Sequence, residues 1–163
     1  MIVRPTVKLG EKIKVPPKEW LPADPNPLAD WSAHVFTANR IQYIILTNTT
    51  SLYSRVIFGR GITNADQFLR SFSLALAEFM HNDGFDDVYE RQIAPTMAQV
   101  SFAKALNRRI TASVNNLVYM AGAYLEIEEQ SLDDLSFWLN ETPMKRLAYE
   151  SPRAAMEQLV KQV

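Results

Sequence analysis

The stretch from Trp31 to Phe58, WSAHVFTANRIQYIILTNTTSLYSRVIF, decides the fold. Three runs rich in β-branched and aromatic residues, Trp31 to Ala38, Ile41 to Thr47 and Leu52 to Phe58, are separated by Asn39-Arg40 and by Asn48-Thr49-Thr50-Ser51. Short runs of this kind, bounded by turn residues, predict the strands of a β-meander. Asparagine tolerates the positive φ that a two-residue hairpin turn demands, so Asn39-Arg40 sets the first register by counting outward. Phe36 then faces Tyr43 and His34 faces Ile45. Placing Thr47 opposite Leu52 at the second turn brings Ser54 beside Ile45 and Val56 beside Tyr43. One face collects His34, Phe36, Ile41, Tyr43, Ile45, Ser54, Val56 and Phe58, and is expected to be the core side. The other face, with Val35, Thr37, Gln42, Ile44, Leu46, Tyr53, Arg55 and Ile57, is more mixed and is expected to be partly wet.

Helices follow. Thr63 with Asp66 has the spacing of a capping box, and Phe68, Leu69, Phe72, Leu76, Phe79 and Met80 recur at helical intervals, which predicts a helix from about Asn64 to Asn82 ended by Gly84. A second long helix is predicted from Arg108 to Glu128, with Ile110, Val114, Leu117, Ala121 and Leu125 on one stripe. Ser131 caps a third. Thr142-Pro143 and Ser151-Pro152 each resemble an N-cap followed by proline, giving a single turn and a final helix. Residues 86 to 93 suggest a short helix, and Gln99 to Lys104 a further strand. Upstream, Ile2-Val3-Arg4 and Lys12-Ile13-Lys14-Val15 suggest one or two strands around a turn at Gly10. The prolines 16, 17, 22, 25 and 27 mark an ordered connection that Trp20 and Leu21 are expected to pin to the core. The fold class expected is α+β: an antiparallel or mixed sheet covered on one face by two long helices, closed by short C-terminal helices, as one domain over residues 1–163.

Composition excludes several classes of function. Seventeen Lys and Arg against eighteen Asp and Glu leave a net charge of -1, so no global field favours nucleic acid or anionic lipid. The chain has no cysteine, hence no disulfide framework, thiolate zinc site or thiol nucleophile, and a cytoplasmic location is expected. No apolar run approaches the roughly 20 residues that cross a bilayer, and Arg4, Lys8, Lys12 and Lys14 interrupt any secretory signal, so no membrane partner is expected.

The segments Trp31-Ser32-Ala33-His34, Leu46-Thr47-Asn48 through Leu52-Tyr53, Asn107-Arg108-Arg109-Ile110 with Ser113-Val114-Asn115-Asn116-Leu117, and Leu139-Asn140-Glu141-Thr142-Pro143-Met144 span nearly the whole chain. With them the sequence resembles a family of small bacterial proteins described as a domain of unknown function. The resemblance implies a free-standing domain of this size and carries over no activity, cofactor or catalytic residue.

Four constellations could carry chemistry. His34, placed by the register on an apolar face near Ser54, could be a general base tuned by burial, or a core histidine bonded to Ser54 or to a backbone carbonyl. A triad would need a carboxylate aimed at the ring, for which Asp30 is the candidate. Gly59-Arg60-Gly61 lies between a strand and a helix start, a setting that can hold phosphate. The third glycine of a dinucleotide fingerprint is replaced by Asn64, no P-loop lysine follows, and a turn that merely supplies positive φ is the plainer reading. Arg108, beside Asn107 and Arg109, forms a basic spot that Arg40, Arg55 and Arg60 could join, as phosphate contacts or as ordinary solvated cations. Ser113, Asn115 and Asn116 interrupt an apolar helix and either clasp the backbone at Asn140-Glu141-Thr142 or line a pocket with Arg108 and Thr111, which shares a face with Asn115. The acidic stretch Asp83 to Asp87 lacks calcium-loop spacing, and His34 and His81 form no ligand motif, so neither metal nor cofactor is expected.

The preferred expectation is a non-catalytic binding or interaction module of a bacterial cytosol with a protein partner. The alternative is an enzyme acting on nucleic acid or a phosphorylated small molecule through His34, Arg108 and Gly59-Arg60-Gly61. A homodimer through the open sheet edge or the mixed face is a third possibility.

Overall fold

The computed structural model describes residues 1–127 and 129–163. The three segments of the meander are strands β2 (Asp30–Ala38), β3 (Ile41–Asn48) and β4 (Ser54–Phe58), preceded by β1 (Ile2–Pro5) and followed by β5 (Ser101–Phe102). The sheet order is β4-β3-β2-β1-β5. β1 runs parallel to both of its neighbours, and the meander is antiparallel, so the sheet is mixed. The helices are α1 (Val7–Lys12), α2 (Ala65–Asn82), α3 (Asp86–Val88), α4 (Arg108–Ile127), α5 (Leu132–Glu141) and α6 (Pro152–Gln162).

Asn39 and Arg40 hold φ 47° and 63°, the paired left-handed geometry of a type I′ turn, and the first register is the counted one, with Phe36 opposite Tyr43 and His34 opposite Ile45. The second register differs: Thr47 faces Ser54 and Ile45 faces Val56. The chain takes a wider turn there because the Asn48 side-chain oxygen accepts from Thr50 N, Ser51 N and the Ser51 hydroxyl, and Leu52 sits at φ 61°. The slip is an even number of residues, so every side chain keeps its face.

Both faces are buried, which corrects the expectation that two long helices share one side. α2 packs Phe68, Phe72, Leu76 and Phe79 against Trp31, Ala33, Ile44, Leu46, Tyr53 and Ile57, the face expected to be partly wet. α4 packs Ile110, Val114, Leu117 and Ala121 against Phe36, Ala38, Tyr43, Ile45 and Val56. The part of the mixed face that carries Tyr53 and Arg55 is dry because these side chains find partners beside the helices: the Tyr53 hydroxyl donates to Asp83 Oδ2 at 2.7 Å, and Arg55 pairs with Asp133 while lying 5.1 Å from the centre of the Phe79 ring; Thr37, nearer the hairpin, stays exposed. α5 lies along edge strand β4, where Ser136 Oγ accepts from Val56 N at 3.1 Å.

Near the N-terminus, Lys12 to Val15 forms no strand: Lys12 is the last residue of helix α1, Ile13 caps it, and the chain turns away through Lys14 at φ 61°. Leu9 and Ile13, four apart, are both fully buried, and a helix is what brings such a pair to one side. Gly10 lies inside that helix because a Cβ there would sit 2.7 Å from Pro17 Cδ and 2.9 Å from the Val15 carbonyl oxygen. Trp20 is 56% exposed and its indole N–H donates to the Leu106 carbonyl, so it does not anchor the proline segment in the core. Arg4, 2% exposed, does so instead: its guanidinium donates to the carbonyls of Leu21, Pro22 and Lys104 and, through Nε and Nη2, to both oxygens of Asp30. The cap of α2 is Asn64, which accepts from Gln67 N, while Thr63 bonds to the Gln67 side chain. Thr142 closes α5 through its hydroxyl to the Trp138 carbonyl and starts no helix; a 3-10 turn over Lys145–Leu147 comes next.

Candidate functional site

α4 begins with Asn107 accepting from Ile110 N at 3.0 Å, and its first turn holds Arg108 and Arg109 with no acidic residue. Cations at this end oppose the helix macrodipole, so the local potential is positive from two sources at once. Below it, residues 144–150 fold back on themselves: Met144 N bonds to the Glu150 carbonyl and Tyr149 N to the Met144 carbonyl, with Ala148 at φ 53° and Tyr149 at φ 67°. Left-handed backbone at non-glycine residues stores about 1–3 kcal/mol each and marks a segment held in place by its surroundings. Met144, 4% exposed, fixes it to the α4 side of the core. The result is an open groove of about 680 Å³ between α4 and the 3-10 turn, lined by Arg109, Ser113, Asn116, Lys145 and Arg146. Among the described residues none of these three cations has an ion-pair partner.

The structure rotates the helix stripe expected from the sequence by one residue. Arg109, Ser113 and Asn116 face the groove, whereas Arg108 and Asn115 point to open solvent and Thr111 returns its hydroxyl to the Asn107 carbonyl at 3.2 Å. The clasp expected from Ser113, Asn115 and Asn116 is not formed: Ser113 bonds back to the Arg109 carbonyl, and Asn140 turns to Ser54. Lys145 and Arg146 escaped sequence reading. Their only signal was a basic pair just after Thr142-Pro143-Met144, and nothing local ties it to a helix start more than thirty positions earlier.

His34 is buried on the α4 face, 8% exposed, beside Ile45 and not beside Ser54, whose hydroxyl is taken by Thr47 and the Leu52 carbonyl. Burial alone lowers its pKa to about 4, so the ring is neutral at physiological pH. It makes no hydrogen bond to a described residue. Asp30 cannot orient it as the acid of a triad, because its carboxylate already accepts from Arg4, Thr49 Oγ1 and Asp24 N. Gly59-Arg60-Gly61 lies elsewhere. The turn follows the Tyr43–Phe58 pair, at the end of the sheet that carries the β2–β3 hairpin, and Gly61 supplies φ 82°. Asn39 Nδ2 bonds to the Leu125 carbonyl there, so the C-terminal end of α4 marks the same end of the sheet. Arg108 is at the other end of α4, about 25 Å from Leu125 at 1.5 Å per residue. His34, Arg60 and Arg108 are therefore not brought around one cleft.

A mixed sheet between helical layers, with an open cationic groove and no helix among the described residues long and apolar enough to cross a membrane, defines a small α+β protein. Residues 2–155 match the family model DUF6933, a domain of unknown function, and the chain belongs to that family. No curated protein matches it.

Proposed function

We propose that this protein is a non-catalytic binding module of the cytosol, a single domain over residues 1–163, whose groove at the start of α4 takes a phosphate-bearing ligand. The observation that carries the reading is the meeting of Arg109, Lys145 and Arg146, none with an ion-pair partner among the described residues, at the positive end of a helix whose first turn has no acid. Arginine meets phosphate with a bidentate fork and lysine with a point charge, and Ser113 and Asn116 add neutral donors. The held backbone at Ala148 and Tyr149 lowers the ordering cost of binding. The enzyme reading through His34 has less support, because the imidazole lacks an oriented acid and lies apart from the turn at Gly59-Arg60-Gly61.

The test is a backbone amide NMR titration with inorganic pyrophosphate and, separately, with a short single-stranded RNA. Shifts confined to Arg109, Ser113, Asn116 and residues 144–147, weakened about tenfold or more in Lys145→Ala/Arg146→Ala and by added salt, support the reading. No shift with either probe, or shifts that the double variant leaves unchanged, overturn it.

A further inference from the structure

The face of α4 turned away from the sheet is exposed along the length of the helix. Residues 108, 112, 115, 119, 122 and 126 share one helix face, on the side opposite the buried stripe Ile110, Val114, Leu117 and Ala121. Tyr119, at the centre of that face, is 77% exposed, and a Cβ built at Gly122 meets nothing within 4 Å. The ends carry opposite charge, Arg108 at one and Glu126 at the other, both exposed and neither paired with a described residue.

Reversing the seam end for end superposes it on its own complement. Arg108 comes opposite Glu126, Ala112 opposite Gly122, and Asn115 opposite Tyr119. We propose that the protein forms a two-fold dimer in which α4 packs antiparallel against α4 of the partner subunit. Arg108 of each copy pairs with Glu126 of the other, and Ala112 meets Gly122 where the helices approach most closely. This symmetry singles out a second copy over an unrelated partner, since a two-fold contact requires each residue's complement to lie on the same patch. Like charges meet if the helices align in parallel, which disfavours that arrangement. A single helix seam falls short of the roughly 800 Å² per partner of a standard interface, so the association constant is expected to be modest. The charged pair of the seam is separate from the groove's cations, Arg109, Lys145 and Arg146, although Ala112 borders both surfaces, and the charge-reversal series reads dimerisation without touching the groove's cations.

Sedimentation velocity over a concentration series tests it. The wild type is expected to show a concentration-dependent dimer; Arg108→Glu and Glu126→Arg each weaken it about tenfold, and the double charge exchange restores it. Because the chain has no cysteine, Ala112→Cys/Gly122→Cys should form a covalent dimer on oxidation far faster than Ala112→Cys alone. A protein that stays monomeric at the highest soluble concentration, a dimer indifferent to both charge reversals, or equal cross-linking by the single and double cysteine variants overturns the proposal.

Discussion

Asn140 holds the backbone of Ser54 at two points: its Oδ1 accepts from Ser54 N at 2.8 Å and its Nδ2 donates to the Ser54 carbonyl at 2.7 Å. The amide side chain thereby stands in for a neighbouring strand along the outer edge of β4, and Ser136 does the same for Val56 N. An edge strand left bare would recruit another chain. Here α5 occupies it, which removes that edge as a route to a homodimer.

Asn140→Ala should therefore strand a buried donor and a buried acceptor at once, because water has little access to a residue 1% exposed. The expected cost is about 2–4 kcal/mol. Urea denaturation of the variant checks it; a midpoint equal to wild type would show that Ser54 is satisfied in another way.

Protonation of His34 should couple to unfolding. The folded pKa of about 4 lies below the ordinary 6.5, so this group's contribution to stability is fully present above pH 6.5 and is lost as pH falls towards 4. The loss is on the order of 3 kcal/mol. Stability measured by urea melts between pH 7 and 4 should decline in wild type and decline markedly less in His34→Gln, whose uncharged amide has no such titration.

Arg4 bonds three carbonyls and a carboxylate, which a lysine ammonium with three hydrogens cannot reproduce. Arg4→Lys should lose about 3 kcal/mol, and its damage should be local as well as global, since the lost partners lie in the proline segment. Hydrogen exchange resolved by peptide is the measurement: residues 18–24 should exchange faster than in wild type under native conditions, and unchanged protection there would contradict the role assigned to the guanidinium.

The β-meander and the long helices could be read from the sequence because both depend on local periodicity. Residues 31–58 alternate, and 65–82 and 108–127 repeat at helical spacing, so the elements lie close to where the patterns place them. What the patterns could not hold was pairing across distance. The face carrying Tyr53 and Arg55 looked half-solvated because the partners that dry it, Asp83 and Asp133, belong to helices distant in sequence. Lys12 to Val15 has a strand-like composition, yet Leu9 and Ile13 together claim a helical turn. At the candidate site, the basic start of α4 was visible in Arg108 and Arg109, but a rotation of 100° per residue separates the one that lines the groove from the one that does not. The other half of the groove, Lys145 and Arg146, is supplied by a loop whose left-handed residues are an alanine and a tyrosine, types that give no advance notice of such backbone.

The position of β1 sets an order of assembly. β2, β3 and β4 are consecutive and can condense through short hairpin closures, whereas Ile2 pairs with Asp30 on one side and with Ser101 on the other. Closing the wider of those loops costs more chain entropy and slows the search. During synthesis on the ribosome the meander can therefore form early, while the first strand waits for its second neighbour until Phe102 has emerged. Events that lengthen or stiffen the intervening chain would act on the speed of folding before they act on the finished structure.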